Sequence, residues 1–260
     1  MKKLAAQKSA DNMLVSCFAD AETMGKAAAC EIGLVLRDLL QSQAEVRMIF
    51  AAAPSQTSTL KFLSQIEGID WSRVTAFHMD EYIGLPEKAP QKFSKWLDEH
   101  LFEILPFGQV QKIQPDPNPL AEVERYNLLL GDAPIDIVCL GVGVNGHIAF
   151  NDPPVADFND PLDVKVVELD EVCRMQQVDE GCFEQIQDVP KSAITLTIPA
   201  LMGAKHLICV VPGSAKRPAV NNMIHGEIET NCPASILRKH KSCKLFLDVE
   251  TCPYSEDLSA

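Results

Sequence analysis

The stretch IDIVCLG at residues 135–141 decides the fold class of this chain. It is apolar along most of its length, as expected of a strand covered on both faces, and it runs directly into a glycine-rich turn. Strands are predicted at 46–53, 74–79, 135–141, 164–169, 193–198, 206–211 and 244–249. A first helix is predicted to begin at the N-cap Asp20, with apolar residues at helical spacing from Ala28 to Leu40, and further helices are predicted over 60–66, 91–105, 120–130 and 219–224. This alternation predicts a doubly wound, Rossmann-like α/β fold with a mostly parallel sheet and helices on both faces.

The composition is typical of a globular protein, with 47% hydrophobic and 23% charged residues in a chain of 260. No repeat and no Gly/Ser-rich linker divides the sequence, so we expect one domain over residues 1–260. Acidic residues outnumber basic ones by 36 to 23, which gives a formal net charge of −13. Such a surface repels phosphate backbones and anionic lipids, which argues against nucleic-acid and membrane partners.

Cysteine usage and the start of the chain indicate a cellular compartment. The nine cysteines are an odd number, form no CxxC pair and lie in several cases inside apolar runs. This pattern predicts free thiols in a reducing cytosol and argues against a disulfide framework or a zinc site. The start, MKKLAAQKSADN, becomes polar before the core of a signal peptide forms, and no apolar run approaches the ~20 residues of a membrane span. We therefore expect a soluble cytoplasmic protein.

Three chemically unusual segments follow predicted strands. They are PSQTS at 54–58, MDEYIGL at 79–85 and GVGVNGHIAFNDPP at 141–154. In open α/β sheets the ligand binds beyond the carboxyl ends of the strands, where the strand order reverses. We therefore expect these segments to meet around one site.

Residues at two strand-to-helix turns can bind an anion. Ser55, Thr57 and Ser58 follow the first strand, where hydroxyls and free N–H groups either bind an anion or simply cap a helix. Lys216 follows a later strand and either brings a cation to the same edge or is a solvated helix residue. In so acidic a chain, their convergence predicts a phosphate pocket.

Acid–base chemistry is predicted for residues of the other two segments. His147 ends a turn with GxGxxG spacing, but no long apolar helix or ribose-binding acid follows, which argues against a dinucleotide site. A lone histidine is most often structural, whereas Asn145 and Asp152 nearby can fix its tautomer and raise its basicity. Asp80 and Glu81 either cap a helix or place one carboxylate at the sheet edge as a general base. Two adjacent acids and a distant histidine offer few ligands for a metal ion, so no metal is expected.

Two long motifs resemble the glucosamine-6-phosphate deaminase/isomerase family. They are FHMDEYIGL at 77–85 and LGVGVNGHIAFN at 140–151, and the likeness continues through 189–195 and 232–237. The related 6-phosphogluconolactonases share the fold and the glycine-rich loop, but they carry an arginine where Tyr82 stands and lack the IAFN continuation. The resemblance therefore favours a deaminase over a lactonase.

The resemblance implies conversion of glucosamine 6-phosphate and water to fructose 6-phosphate and ammonia, without a cofactor. Asp80 matches the family's enolisation base and His147 its ring-opening residue, while Asn145 and Asp152 match the two positions that support the histidine. Lys216 matches the lysine on the phosphate side. The expected substrate-binding residues are Ser55, Thr57, Ser58, Glu81 and Lys216. Because relatives are often oligomers, the resemblance also allows a homo-oligomer.

Several residues around the expected substrate site depart from the family pattern. Asp152 is shorter than the glutamate of some members, and the loop at 52–58 lacks the usual glycines. The arginine that typical members carry before the Val-Pro-Lys segment has no counterpart other than Arg174. These changes leave galactosamine 6-phosphate as an alternative substrate and a non-catalytic sugar-phosphate sensor as an alternative function. A sensor of the regulator type needs a DNA-binding module, and the sequence shows none.

Overall fold

A computed structural model describes residues 6–254 as two sheets surrounded by helices. The strands are β1 (Ala6–Ala10), β2 (Met13–Phe18), β3 (Val46–Phe50), β4 (Val74–His78), β5 (Asp80–Tyr82), β6 (Gln109–Gln111), β7 (Ile137–Leu140), β8 (Val164–Glu168), β9 (Ser192–Leu196), β10 (His206–Val211) and β11 (Cys243–Asp248). The α-helices are α1 (Ala21–Ser42), α2 (Thr57–Leu63), α3 (Phe93–Leu97), α4 (Pro119–Gly131), α5 (Glu171–Asp179), α6 (Ile198–Met202) and α7 (Arg217–His225). We expect no signal peptide at the start of the chain. Residues 1–5 of that segment lie outside the described residues.

The large sheet has eight strands in the order β1-β2-β11-β10-β7-β3-β4-β6. Every neighbouring pair is parallel except β1 and β2, which form an antiparallel hairpin at one edge. Strands β3 and β7 are buried along their whole length, because apolar layers cover both faces of the sheet. The predicted fold class is therefore confirmed. The β1–β2 hairpin and β6 are elements that the sequence patterns did not indicate.

The strand order reverses between β3 and β7. From β3 the chain adds β4 and β6 on one side, and from β7 it adds β10 and β11 on the other. The connections after β3 and β7 thus leave in opposite directions, and this divergence opens a gap at the carboxyl ends of the two strands.

A separate antiparallel sheet has the order β5-β9-β8, and Asp80 at the start of β5 borders this gap. Strand β5 begins two residues after β4 ends, and the chain changes sheets at Met79, whose carbonyl accepts a hydrogen bond from Leu196 N. The strands predicted at 164–169 and 193–198 exist, but they belong to this second sheet. Tyr82 of β5 is fully buried, against Phe93 and Phe150.

Two residues fix the end of β4, just before the chain changes sheets. The Tyr126 hydroxyl donates to His78 O at 2.8 Å, and His78 Nε2 accepts from Ile113 N at 2.8 Å. Burial lowers the pKa of His78 to about 3, so this histidine of the FHMDEY motif is neutral and structural. Its bonds hold the strand that leads into Asp80.

Helix α1 begins where its sequence predicts. The side chain of Asp20 accepts a hydrogen bond from Thr23 N at 2.7 Å, which satisfies one of the free N–H groups of the first turn. The apolar side of α1 packs on the sheet and on α2. The two helices approach each other closely at Gly25, where an added Cβ would lie 2.4 Å from Ser58 Oγ.

The expectation that all nine cysteines are free is wrong at two positions. Cys17 at the end of β2 and Cys252 in the turn after β11 form a disulfide across 235 residues of sequence. The other seven cysteines are free. Sequence spacing could not indicate this pair, because only the parallel pairing of β2 with β11 brings the two residues together. Among residues 6–254, no helix is long and apolar enough to cross a membrane.

Replacing Gly25 by alanine should destabilise the fold. The new methyl group would meet Ser58 Oγ and Cβ at 2.4 and 2.6 Å and the Ser58 backbone at 2.9 Å, so the two helices must separate. We expect a loss of about 1–3 kcal/mol in the free energy of unfolding, measured by urea denaturation.

Gly33→Ala on the same helix is the matched control. Its Cβ would meet the Ile66 side chain, with Cγ2 at 3.0 Å, so this side chain has to shift by only a few tenths of an ångström, and alanine favours the helix by about 1 kcal/mol. Gly33→Ala should therefore be close to neutral. Equal losses in the two variants would contradict this account of the helix contact.

Candidate active site

A cleft opens at the carboxyl ends of β3 and β7, where the strand order reverses. Its walls come from the turns that follow these strands, from the start of β5, from α5 and from the short turn Ser214–Lys216 before α7. Polar residues that line it are Ser55, Gln56, Asp80, His147, Gln176, Gln177, Glu180 and Lys216. The three segments singled out in the sequence therefore each contribute to one site.

The side chains of Asn145, His147 and Asp152 form a hydrogen-bonded relay. His147 Nδ1 lies 2.8 Å from Asn145 Oδ1 and 3.0 Å from Asp152 Oδ1. Asn145 Nδ2 in turn donates to Asp152 Oδ1 at 2.9 Å. Because two oxygen acceptors face Nδ1, this nitrogen carries the proton of the neutral ring. Nε2 is then left as the basic atom of His147.

The glycine-rich turn holds the His147 ring by leaving no room beside it. A Cβ at position 143 would lie 2.1–2.3 Å from three atoms of the ring, so the ring rests directly on the backbone of Gly143. After the ring, Ala149 adopts a φ of +48°, and the side chain of Asn151 holds this turn by donating to Ile148 O at 2.9 Å. The turn brings Asp152 back to the imidazole.

Asp152 is ionised in this setting. Burial by itself raises the pKa of its carboxyl, but the hydrogen bonds from His147, Asn145 and Cys173 and the attraction to the His147 ring together outweigh burial. The pKa of Asp152 consequently lies below its ordinary value.

Asp80 is the second carboxylic acid of the site, and its environment is the opposite of that of Asp152. It begins β5 with only 6% of its surface exposed, and within residues 6–254 no side chain or backbone donor bonds to its carboxylate. Burial, together with repulsion from Glu81, raises the pKa of Asp80 well above its ordinary value. A carboxylate of raised pKa is a stronger base than a solvated one.

Glu81, predicted with the substrate-binding residues, does not line the cleft. Its buried carboxylate accepts hydrogen bonds from Tyr82 N, Phe93 N and both the backbone and hydroxyl of Ser94. It thus anchors the start of α3 on β5, which is the helix-capping alternative considered for this acid pair.

The predicted phosphate-binding residues are only partly brought together. Ser55 and Lys216 line the cleft, and Lys216 is 7% exposed. Thr57 is exposed on the first turn of α2 and does not line the cleft. Ser58 turns toward Gly25 of α1, and its hydroxyl is buried without a hydrogen-bond partner among the described residues.

Sequence reasoning missed the contribution of α5. Glu180 at its end forms an ion pair with Lys216, Nζ to Oε1 at 2.9 Å, and accepts a hydrogen bond from Gln176 Nε2 at 2.8 Å. Gln176 Oε1 also accepts from Val144 N at 2.9 Å, which ties α5 to the glycine-rich turn. The segment RMQQVDE at residues 174–180, with its two glutamines and a glutamate, was the sequence signal that could have indicated this contribution. Arg174 instead donates to the carbonyls of Ile186 and Val189 and does not line the cleft.

Comparison with known proteins agrees with this geometry. Residues 19–246 match the family model described as glucosamine-6-phosphate isomerases/6-phosphogluconolactonase. The chain belongs to this family. The family resemblance of the two motifs is therefore confirmed.

Relatives of this family member are named as deaminases. A glucosamine-6-phosphate deaminase of Lactobacillus delbrueckii subsp. bulgaricus is 32% identical over 229 residues, which cover 85% of this chain and 93% of the relative. One from Bacillus cereus is 38% identical over 187 residues, covering 70% and 68%. A solved monomeric glucosamine-6-phosphate deaminase superimposes with a TM-score of 0.82 at 26% identity over 91% of this chain and 98% of that one. The 6-phosphogluconolactonase of Thermotoga maritima, at 18% identity and a TM-score of 0.74, shares the fold.

The two acids of the site predict stability changes of opposite sign. The pKa of Asp80 is raised on folding, so its ionised form opposes folding, and this penalty grows as the pH rises through the folded-state pKa. Asp80→Asn should therefore stabilise the protein, on the order of 1–3 kcal/mol near pH 8 and less in acid. Thermal unfolding at several pH values measures this effect.

Asp152→Asn is the matched comparison. The pKa of Asp152 is lowered on folding, so its ionised form stabilises the fold above the unfolded-state pKa, and this contribution is lost as the pH falls. Asp152→Asn should destabilise the protein at neutral pH. A destabilised Asp80→Asn variant would refute the unsatisfied, buried environment assigned to Asp80.

Proposed function

We propose that this protein is a glucosamine-6-phosphate deaminase, which converts glucosamine 6-phosphate and water to fructose 6-phosphate and ammonia. The observation that carries the proposal is that one cleft is lined by a buried carboxylate, Asp80, by an imidazole held in hydrogen bonds, His147, and by a cation, Lys216. An aldose-to-ketose conversion needs a base at C2, a proton relay at O1 and O5, and a cation for the phosphate. Family membership and the deaminase relatives support the same activity.

The relay would open the pyranose ring. With Nδ1 protonated and held by Asn145 and Asp152, Nε2 of His147 takes the proton of the O1 hydroxyl and delivers it to O5. The charge that develops on the ring during this transfer is stabilised by ionised Asp152. This step produces the open-chain aldose.

Asp80 would then move the proton that changes the aldose into a ketose. Its carboxylate removes the C2 proton and returns it to C1, and water releases the nitrogen as ammonia. The raised pKa of Asp80 suits this role, because a base is most effective when its pKa lies near the working pH. Asp80→Asn should accordingly abolish exchange of the C2 proton.

The site supports a deaminase over a lactonase. Tyr82 stands where the lactonase motif has arginine, and its ring is buried in an aromatic cluster with Phe93, Phe150 and Phe183. Galactosamine 6-phosphate is the alternative substrate, because the glycine-poor turn and Glu180 alter the phosphate end of the cleft. A pure sensor would have no use for the paired base and relay. We place the activity in the cytoplasm, within a single domain.

The decisive assay is ammonia release from the purified protein with glucosamine 6-phosphate and galactosamine 6-phosphate in parallel. We expect release from the first substrate, and loss of release in Asp80→Asn. Release from galactosamine 6-phosphate alone would reassign the epimer. Absence of release from both, with a correctly folded protein, would refute the deaminase.

Two substitutions at the phosphate end should change KM in opposite directions. Lys216→Ala removes the cation and should raise KM about 10- to 100-fold before kcat changes, because a hydrogen bond to a charged group contributes about 1.5–3 kcal/mol. Glu180→Gln should lower KM, because Glu180 competes with the phosphate for Lys216. Steady-state kinetics of the ammonia release measures both.

Lys61→Ala, which removes an exposed lysine of α2 outside the cleft, is the charge-matched control and should leave KM close to that of the wild type. If KM is also unaltered in Lys216→Ala, Lys216 does not bind the phosphate.

A further inference from the structure

Helix α5 contributes to the cleft a buried glutamine whose side chain makes no hydrogen bond with the protein. Gln177 is 8% exposed and lines the cleft, yet its amide has no hydrogen-bond partner within residues 6–254. The neighbouring Gln176 is just as buried, but both ends of its amide are engaged, Oε1 by Val144 N and Nε2 by Glu180 Oε1. The proposed ring opening and proton transfers leave the amide of Gln177 without a role.

An unpaired amide in this position points to a ligand. A polar group that leaves bulk water without gaining a hydrogen bond raises the free energy of the folded protein, so buried amides are normally paired. Oε1 of Gln56 is sealed inside the protein, whereas the amide of Gln177 keeps contact with the space of the cleft. The amide of Gln177 can therefore pair with a molecule that enters the cleft.

The place of Gln177 on α5 decides which part of a substrate it can reach. Cys173, Gln177 and Glu180 are spaced i, i+4 and i+7, so they lie on one face of the helix. At one end of this face, the Cys173 thiol donates a hydrogen bond to Asp152 of the relay. At the other end, Glu180 pairs with Lys216 at 2.9 Å. Gln177 therefore lies between the relay and the cation.

In a hexosamine 6-phosphate, this middle position corresponds to the hydroxyl groups at C3 and C4. In the proposed function the relay acts at O1 and O5, Asp80 acts at C2, and Lys216 binds the phosphate on C6. An amide both donates and accepts hydrogen bonds, as a hydroxyl group does. Glucosamine 6-phosphate and galactosamine 6-phosphate differ only in the configuration at C4, so a residue that binds this hydroxyl discriminates between them.

We propose that Gln177 binds the C4 hydroxyl of the substrate and determines which C4 epimer the enzyme prefers. The inference rests on the proposed deaminase function, which supplies the orientation of the sugar in the cleft. In the preferred epimer, the hydroxyl forms with the amide the hydrogen bonds that Gln177 lacks within the protein. In the other epimer, the hydroxyl points away and the amide stays unpaired, which weakens binding.

Steady-state kinetics with the two epimers tests the assignment. Gln177→Met keeps the length of the side chain and removes the amide. We expect it to lower kcat/KM for the preferred epimer about 10-fold, the effect of losing one or two neutral hydrogen bonds, and to leave the other epimer nearly unchanged. The ratio of the two values then falls toward one. A wild-type protein without epimer preference, or an unchanged ratio in Gln177→Met, overturns the inference.

Calorimetric binding measurements separate a failure of this inference from a failure of the deaminase. In an Asp80→Asn background, which blocks turnover, both hexosamine phosphates and inorganic phosphate are titrated into the protein. Adding Gln177→Met should weaken binding of the preferred epimer about 10-fold and leave binding of inorganic phosphate unchanged. Loss of epimer preference in a protein whose wild type releases no ammonia would refute the deaminase and support the role of Gln177. A preference that survives Gln177→Met, or binding of neither epimer, contradicts that role.

Gln187→Met is the matched control. Gln187 is exposed, lies outside the cleft and makes no side-chain hydrogen bond in the described part of the chain, so this variant should keep the wild-type ratio. An equal loss of preference in Gln187→Met would overturn the proposal. Should Gln177→Met fail to fold, Gln177→Asn tests the same point, because a side chain shorter by one methylene withdraws the amide from the hydroxyl. An unaltered ratio in Gln177→Asn would contradict the proposal as well.

Discussion

The parallel pairing of β3 with β7 is the contact on which the cleft depends. Their register sets Phe50 opposite Cys139, and a hydrogen bond from Ala51 N to Cys139 O extends the pairing into the turn. After β3 the chain turns toward one side of the sheet, and after β7 it turns toward the other side. The space between these two connections is the cleft. The turn after β3 supplies Ser55, the turn after β7 supplies His147, and a slip of one residue in this register would separate them.

Around this gap the protein places titratable groups in environments that differ sharply. Asp152 is surrounded by donors and is ionised, whereas Asp80 is buried without a donor and has a raised pKa. The first arrangement stabilises the fold and the second opposes it, which is consistent with the proposed role of Asp80 as a base. Where the phosphate is expected to bind, a cation is neutralised by a carboxylate of the protein. Lys216 is paired with Glu180, so in the proposed function the substrate phosphate would replace a carboxylate that the protein itself supplies.

How far the sequence could predict the site depends on distance along the chain. Asn145, His147 and Asp152 lie within eight residues, so a tight turn suffices to bring them together, and the GVGVNGH motif indicates that turn. Glu180 and Lys216 are 36 residues apart and meet only because α5 folds back over the cleft. Ser58 fits an anion-binding pattern, yet the contact of α2 with Gly25 turns it away from the cleft. Local patterns carry no information about such rotations.

The sequence by itself determined the fold class, strands β3, β4, β7, β10 and β11 of the large sheet, the candidate acid–base residues and the family, because these rest on hydrophobic periodicity and on motifs that are continuous in the chain. Only the tertiary structure decided the separate β5-β9-β8 sheet, the disulfide between Cys17 and Cys252, and the roles of Glu81 and Glu180. The physical reason is common to all of them. Each is a contact between segments that are distant in sequence, and its geometry is set by the packing of whole elements against the sheet.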